Sequence, residues 1–230
     1  MNTILPLIAC LPLAQAAMAM EFVDDLRLEI GGYGVTNIRD HRDTTAGSDS
    51  AFLTTSSSDT TTDNSYDRTS FAISYTWGRL HQDGGLLVSA GFTYFDSYTD
   101  VTDPGIGQTF SLESSISEFC FSIGYGLPVS HWSYFEFMGD FGVGYMQSDV
   151  IDRSQSFGWE EFENATGIEG SIGAHVGWTA CIARHLLLGL RAGISQHAAN
   201  LHADFATGAT YDERIRETIV DGRMMIGYRF

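Results

Sequence analysis

The chain has 230 residues, 29 of them acidic and 12 basic, for a formal charge of −17, and every basic residue is an arginine. That sign excludes nucleic acid as a partner, because phosphate recognition rests on clustered positive charge. Beyond the N-terminus no window holds the roughly eighteen apolar residues of a membrane helix. Since 13% of the chain is aromatic and 25 residues are glycine, period-two alternation is the one route by which it could enter a bilayer.

In chain order, Ile4 to Leu13 forms a short apolar core, followed by the small-residue patterns Ala14-Gln15-Ala16 and Ala17-Met18-Ala19. Residues 1–19 are read as a signal peptide cut after Ala19, or after Ala16 or Ala17, leaving residues 20–230 as one barrel domain. An uncleaved helix is too short to span a bilayer. Leu7-Ile8-Ala9-Cys10 resembles a lipobox, but too few residues precede Cys10. Cys120 and Cys181 are too few and too distant for a disulfide framework or a zinc site, and are read as unpaired.

Eight alternating segments follow. In the first, Leu26, Leu28 and Ile30 oppose Arg27, Glu29 and Tyr33. Phe71, Ile73, Tyr75 and Trp77 oppose Ala72, Ser74 and Thr76 in the second. The third sets Leu86, Val88, Phe92 and Tyr94 against Leu87, Ser89, Gly91 and Thr93, and the fourth sets Phe119, Phe121, Ile123, Tyr125 and Leu127 against Glu118, Cys120, Ser122 and Gly124. Phe135, Phe137, Phe141, Val143 and Tyr145 oppose Glu136, Met138, Asp140 and Gly142. Next come Ile168, Ile172, Val176 and Trp178 against Glu169, Ser171 and His175, then Leu186, Leu188, Leu190 and Ile194 against Arg191, Ser195 and His197. The last segment, Arg214 to Phe230, places Met224, Ile226, Tyr228 and Phe230 opposite Arg223, Met225, Gly227 and Arg229. One parity is apolar over about ten residues, the length of a tilted membrane strand. The other is rich in glycine and charge, as the crowded interior of a narrow barrel requires. A soluble sandwich would not need so many glycines. This parity predicts that arginine at Phe121 or Leu188 is far more damaging than Gly124→Ser or Ser122→Thr.

The connections alternate in length. Gln82 to Gly85, Pro128 to His131 and Cys181 to Arg184 read as tight turns. Residues 37–67, 99–110, 148–164 and 200–213 read as long loops, with sixteen acidic residues against three arginines. Twelve Ser or Thr among the nineteen residues 44–62 make that tract too polar to offset its ordering entropy, so it is expected to be mobile.

Short turns, long loops, an even strand count and a terminal aromatic strand resemble the eight-stranded outer-membrane barrels of the OmpA, OmpX and opacity-protein kind. The resemblance covers the whole mature chain and rests on architecture. It implies an all-β fold, a single closed antiparallel up-and-down transmembrane barrel, with periplasmic turns and extracellular loops. It also implies location in a bacterial outer membrane, with surrounding lipid and lipopolysaccharide, and a monomer. Tyr228 and Phe230 resemble the final hydrophobic positions of the signal read by the barrel-assembly machinery, although Met225 stands where that signal usually has glycine.

The lumenal parity collects Arg27, Glu29, Glu118, Glu136, Asp140, Glu169, Arg191, Glu217, Asp221, Arg223 and Arg229, with His175 beside them. An ion-paired, hydrogen-bonded plug is the reading, since arginine's fixed fork suits buried pairing. A narrow gated ion path is the alternative. Some eight-stranded barrels are lipid A deacylases carrying His-x-Ser-Asn, and His197-Ala198-Ala199-Asn200 resembles that run. Ala199 replaces the nucleophilic serine and has no oxygen to attack an ester. No catalytic residue, cofactor or metal site is expected. The surface metal site that His197, His202 and Asp204 suggest lacks a rigid register at this strand-to-loop transition, so they are read as solvated loop polarity at the strand end, and Trp159 to Glu163 as a charged loop. The functional expectation is a non-catalytic barrel displaying mobile acidic loops to an extracellular partner. A small-solute or ion channel comes next, and a lipid A-modifying enzyme last.

Overall fold

The computed structural model describes residues 21–44, 52–54, 66–102, 109–154, 159–206 and 208–230. The signal-peptide expectation falls outside them. Nine strands follow one another: β1 Glu21–Thr44, β2 Phe52–Thr54, β3 Tyr66–Leu80, β4 Gly85–Thr102, β5 Thr109–Ser130, β6 Ser133–Ser154, β7 Trp159–Ala183, β8 Leu186–Asp204 and β9 Thr210–Arg229. All but β2 pair antiparallel with their neighbours in chain order. The ring closes where β1 meets β9, with Leu26 opposite Tyr228 and Ile30 opposite Met224. The eight long strands are therefore an up-and-down barrel with no free edge within the wall.

Outward side chains on the turn-end half of the eight long strands are mostly apolar and exposed, among them Phe121, Ile123, Phe137, Val176, Leu188, Leu190 and Ile226. An exposed belt of this kind around a closed ring meets lipid, where backbone polar groups must be satisfied internally. Tyr125, Trp77, Trp132 and Tyr228 ring its turn end, the position amphipathic aromatics take at a membrane interface.

Two corrections concern length. The strands run from 15 residues in β3 to 25 in β7, well beyond the roughly ten that a membrane needs. Much of 37–67, 99–110, 148–164 and 200–213, expected as loop, is thus paired strand: Asp40 faces Ile215, Val101 faces Phe110, Asp152 faces Glu161 and His202 faces Asp212. Glu160, Glu161 and Glu163 belong to β7 rather than a loop. Within the tract 44–62, Phe52–Thr54 forms β2 against Val150–Asp152 of β6, and the rest beyond Thr44 lies outside the described residues. The tight turns also shift, because β5 continues to Ser130 and β7 to Ala183.

The extension has a physical signature. On β9 the outward parity reads Asp212, Arg214, Arg216 and Thr218, then Val220, Met224, Ile226 and Tyr228. The inward parity reads Tyr211, Glu213, Ile215, Glu217 and Ile219, then Asp221 and Arg223. The alternation inverts between Thr218 and Val220. On β8 it inverts between Ile194 and Gln196, the register partners of Val220 and Thr218. Below that line the outside meets lipid and the inside is polar. Above it the outside meets water and the inside becomes mainly apolar, with His197, Glu213 and Glu217 as polar insertions.

The upper interior is accordingly a hydrophobic core of Phe95, Ile116, Met146, Leu201, Phe205, Tyr211, Ile215 and Ile219. A second cluster, Val23, Leu80, Leu87, Tyr134 and Met138, fills the turn end. Glycine permits close approach on the wall: a Cβ on Gly124 would collide with the Phe137 carbonyl and Met138 backbone of β6. Gly124→Ser is therefore not the benign lumenal change that parity alone suggests. Gly84, at a φ of 101°, makes the β3–β4 turn, a conformation that costs other residues.

Candidate functional site

Between the two apolar clusters lies a polar layer. Asp25, Arg27 and Glu29 enter it from β1 because they share the inward parity, and all three are buried. Nη1 of Arg27 donates to both carboxylate oxygens of Glu136 at 2.9 Å. β1 and β6 stand opposite each other in the eight-membered ring, so this pair braces the full width of the barrel. Nη2 of Arg27 donates to the Tyr134 hydroxyl, which donates to Oδ2 of Asp25 at 2.9 Å. Arg229 grips Asp25 with two bonds, Nε to Oδ1 at 2.7 Å and Nη2 to Oδ2 at 3.0 Å. Its guanidinium also lies over the Tyr134 ring, 5.7 Å from the centroid.

A second tier continues upward. His175 Nδ1 lies 2.8 Å from Oδ2 of Asp140, and its Nε2 3.6 Å from Glu136. Arg191 reaches Glu29 and Asp140, both at 3.4 Å. Arg223 pairs with Asp221 at 2.9 Å and Glu29 at 3.7 Å, and stacks over Phe95 at 5.1 Å. Charged groups in a narrow, low-dielectric interior are tolerable only with this degree of pairing. Chemically the tier is a set of crosslinks that fix strand to strand.

Of the residues the sequence placed inside, Arg27, Glu29, Glu136, Asp140, Arg191, Asp221, Arg223 and Arg229 are joined by these contacts. Glu118, Glu169 and Glu217 are not. Among the described residues neither Glu118 nor Glu169 has an arginine within salt-bridge distance. They sit higher, around His197. Oε2 of Glu118 accepts from Ser171 Oγ at 2.7 Å, while Glu169 Oε1 lies 2.8 Å from His197 Nδ1. Nε2 of His197 is 2.7 Å from Ser195 Oγ, and Glu217 is its cross-strand partner on β9. His197 is buried against Phe95, edge to face at 5.5 Å. This corrects its assignment as solvated strand-end polarity. His202 and Asp204 fit that description: His202 is exposed on the outer face between Asp204 at 3.2 Å and Asp212 at 2.8 Å.

Ser195, His197 and Glu169 have the connectivity of a nucleophile, a base and an orienting carboxylate. The space beside Ser195 is about 20 Å³, room for one water, and cannot hold an ester substrate. Sequence reading missed this relay as a contact, and missed Asp25 and Tyr134 as members of the lower tier. Asp25 stands at the strand's start, and Tyr134 directly follows a turn, where parity is hardest to assign. Tyr228 packs edge to face on Phe230 at 5.1 Å, both on the outer surface at the turn end. Cys120 and Cys181 are free thiols.

No protein-family model and no curated protein sequence matches the chain. Among solved structures it is similar to the outer membrane protein OprG from Pseudomonas aeruginosa, at 14% identity and a TM-score of 0.32, over 90% of this chain and 96% of that one. It is also similar to Ail, the attachment invasion locus protein of Yersinia pestis, at 11% identity and a TM-score of 0.30, over 90% and 99%. The toluene transporter TodX of Pseudomonas putida matches at 8% identity and a TM-score of 0.29, over 93% and 91%. No activity is carried over from these likenesses.

Proposed function

We propose, from the premise that the chain is an eight-stranded barrel of the outer-membrane kind, that it is a non-catalytic display scaffold with a sealed lumen. The observation that carries the reading is the inverted alternation. The strands continue past the lipid belt as a paired turret with an apolar core, and this raises the connecting segments away from the membrane on a rigid support. Asp100, Glu163, Asp204 and Asp212 are exposed on that part of the chain, so a surface partner would meet an acidic face. The apolar clusters at both ends of the polar layer support display over conduction, because a continuous water column needs a polar path from end to end. The cramped surroundings of Ser195 support the absence of catalysis.

The same reading assigns residues 1–19 to export and the belt to outer-membrane lipid and lipopolysaccharide. Tyr228 and Phe230 become the positions met by the barrel-assembly machinery, and the barrel itself a monomer. Cysteines introduced at Ala206 in the turret and at His131 in a turn test the display reading, in a background lacking Cys120 and Cys181. With an impermeant maleimide on intact cells, Ala206→Cys is labelled and His131→Cys only after the outer membrane is opened. The opposite pattern, or labelling of neither until lysis, would overturn the proposal.

A further inference from the structure

The lower lumen neutralises its carboxylates with arginine, whereas in the layer above, among the described residues, Glu118 and Glu169 have no arginine within salt-bridge distance. Glu118 on β5, Glu169 on β7 and His197 on β8 are all buried, and one donor atom from each lies within 4.8 Å of the others. Glu169 is fully buried, yet its Oε2 has no hydrogen-bond partner, while its other oxygen is engaged by His197. An unmatched buried carboxylate oxygen costs free energy unless a cation or proton meets it. Gly142 of β6 completes the cradle, because any Cβ there would run into the Glu118 carboxylate and the Ser171 hydroxyl. The small residue is what lets Glu118 turn inward toward Glu169.

We propose that Glu118, Glu169 and His197 form a lumenal site for a divalent transition-metal cation, with Zn²⁺ the best match. One imidazole and two carboxylates are a borderline donor set of the type zinc accepts, and their two negative charges balance the ion. Ser195 fixes the ring. Without metal, Nδ1–H donates to Glu169; on metal binding that proton leaves, the Ser195 hydroxyl accepts from Nε2–H, and the second-layer hydrogen bond holds the tautomer whose Nδ1 lone pair meets the ion. Zinc bonds of about 2.0–2.2 Å set tetrahedral donors roughly 3.3 Å apart. Donor atoms up to 4.8 Å apart therefore close by at most about 1.5 Å, and the 2.8 Å His197–Glu169 contact opens by about 0.5 Å, both within the swing of two glutamate side chains. The ion would tie β5, β7 and β8 together in the tier where no arginine does so, and this role is independent of whether the barrel conducts.

The test is zinc binding by the whole chain, refolded in metal-free detergent micelles and titrated with ZnCl₂ in a calorimeter, with bound metal counted after dialysis. Heat-dependent electrophoretic mobility reports folding of each variant. The wild type takes up one Zn²⁺ per chain, and so does His202→Ala, which removes the exposed His202, Asp204 and Asp212 group. Glu118→Gln/Glu169→Gln and His197→Gln, scored only if folded, bind at least tenfold more weakly, since losing even an outer-shell partner of a ligand costs about ten- to a hundredfold. Co²⁺ supplies a readout on the wild type alone, since a four-coordinate lumenal site gives a strong visible absorption band that ZnCl₂ bleaches. A folded wild type that binds no zinc overturns the proposal, leaving a shared proton between His197 and Glu169. Binding that survives in His197→Gln and disappears in His202→Ala overturns it equally.

Discussion

An arginine walked along the outer face of β8 should report the membrane boundary residue by residue. Leu186, Leu188, Leu190, Ala192 and Ile194 face outward in the belt, and Gln196, Ala198 and Asn200 continue the same face above the inversion. Leu190 is the middle of the apolar run, with 58% of its surface exposed in the isolated chain, all of it toward lipid. Arginine at the midplane of such a barrel costs about 2–4 kcal/mol, falling to about 0–1 kcal/mol near the interface. Leu190→Arg should thus lower the folding equilibrium by about thirty- to several hundredfold. Ile194→Arg should lower it by no more than about fivefold, and Ala198→Arg should leave it unchanged. Reversible urea titrations in phospholipid vesicles, followed by tryptophan fluorescence, give the three values. A flat profile, or a penalty at Ala198 equal to that at Leu190, would refute the placement of the boundary between Ile194 and Gln196.

Removing one end of the cross-barrel brace with Arg27→Met strands a buried Glu136 and should cost about 3–5 kcal/mol in the same titration, whereas Arg27→Met/Glu136→Leu should recover much of it. Gly124→Ser should destabilise by about 1–3 kcal/mol through overpacking against β6, and Ser122→Thr by less. A tolerated serine would contradict the observed strand approach. His202 should titrate above the ordinary histidine value of about 6.5, because its hydrogen bond to Asp212, then that to Asp204, favours the charged ring. Its small stabilising share is complete below that ordinary value and fades as pH rises through the raised folded one. NMR should find the His202 pKa lowered by Asp212→Asn.

Period two in the belt is legible because lipid and a crowded lumen impose opposite demands on adjacent residues, so Phe121 and Ser122 cannot exchange places. The turret was harder to read. Asn200, His202 and Asp204 are polar in the manner of a loop, yet Leu201 and Ala203 between them are buried. The alternation persists there with its sense reversed, and a reading tuned to lipid takes the reversal for an ending. Composition along one segment also hid the tier around His197. Glu118, Glu169 and His197 come from three strands, and only the pairing of β5 with β6, β6 with β7 and β7 with β8 brings them to one height. Arg27 and Glu136 met for the same reason, across the ring rather than along the chain.

Single-channel recording with the purified protein in planar lipid bilayers tests the sealed barrel most directly. Apolar clusters close the polar layer at both ends, at Leu80 and Leu87 on the turn side and at Ile215 and Ile219 on the turret side. The account predicts membrane insertion, verified by heat-dependent mobility of protein recovered from the same preparation, with no stepwise current. Reproducible cation-selective steps from that material, enlarged by Ile219→Ala, would contradict it.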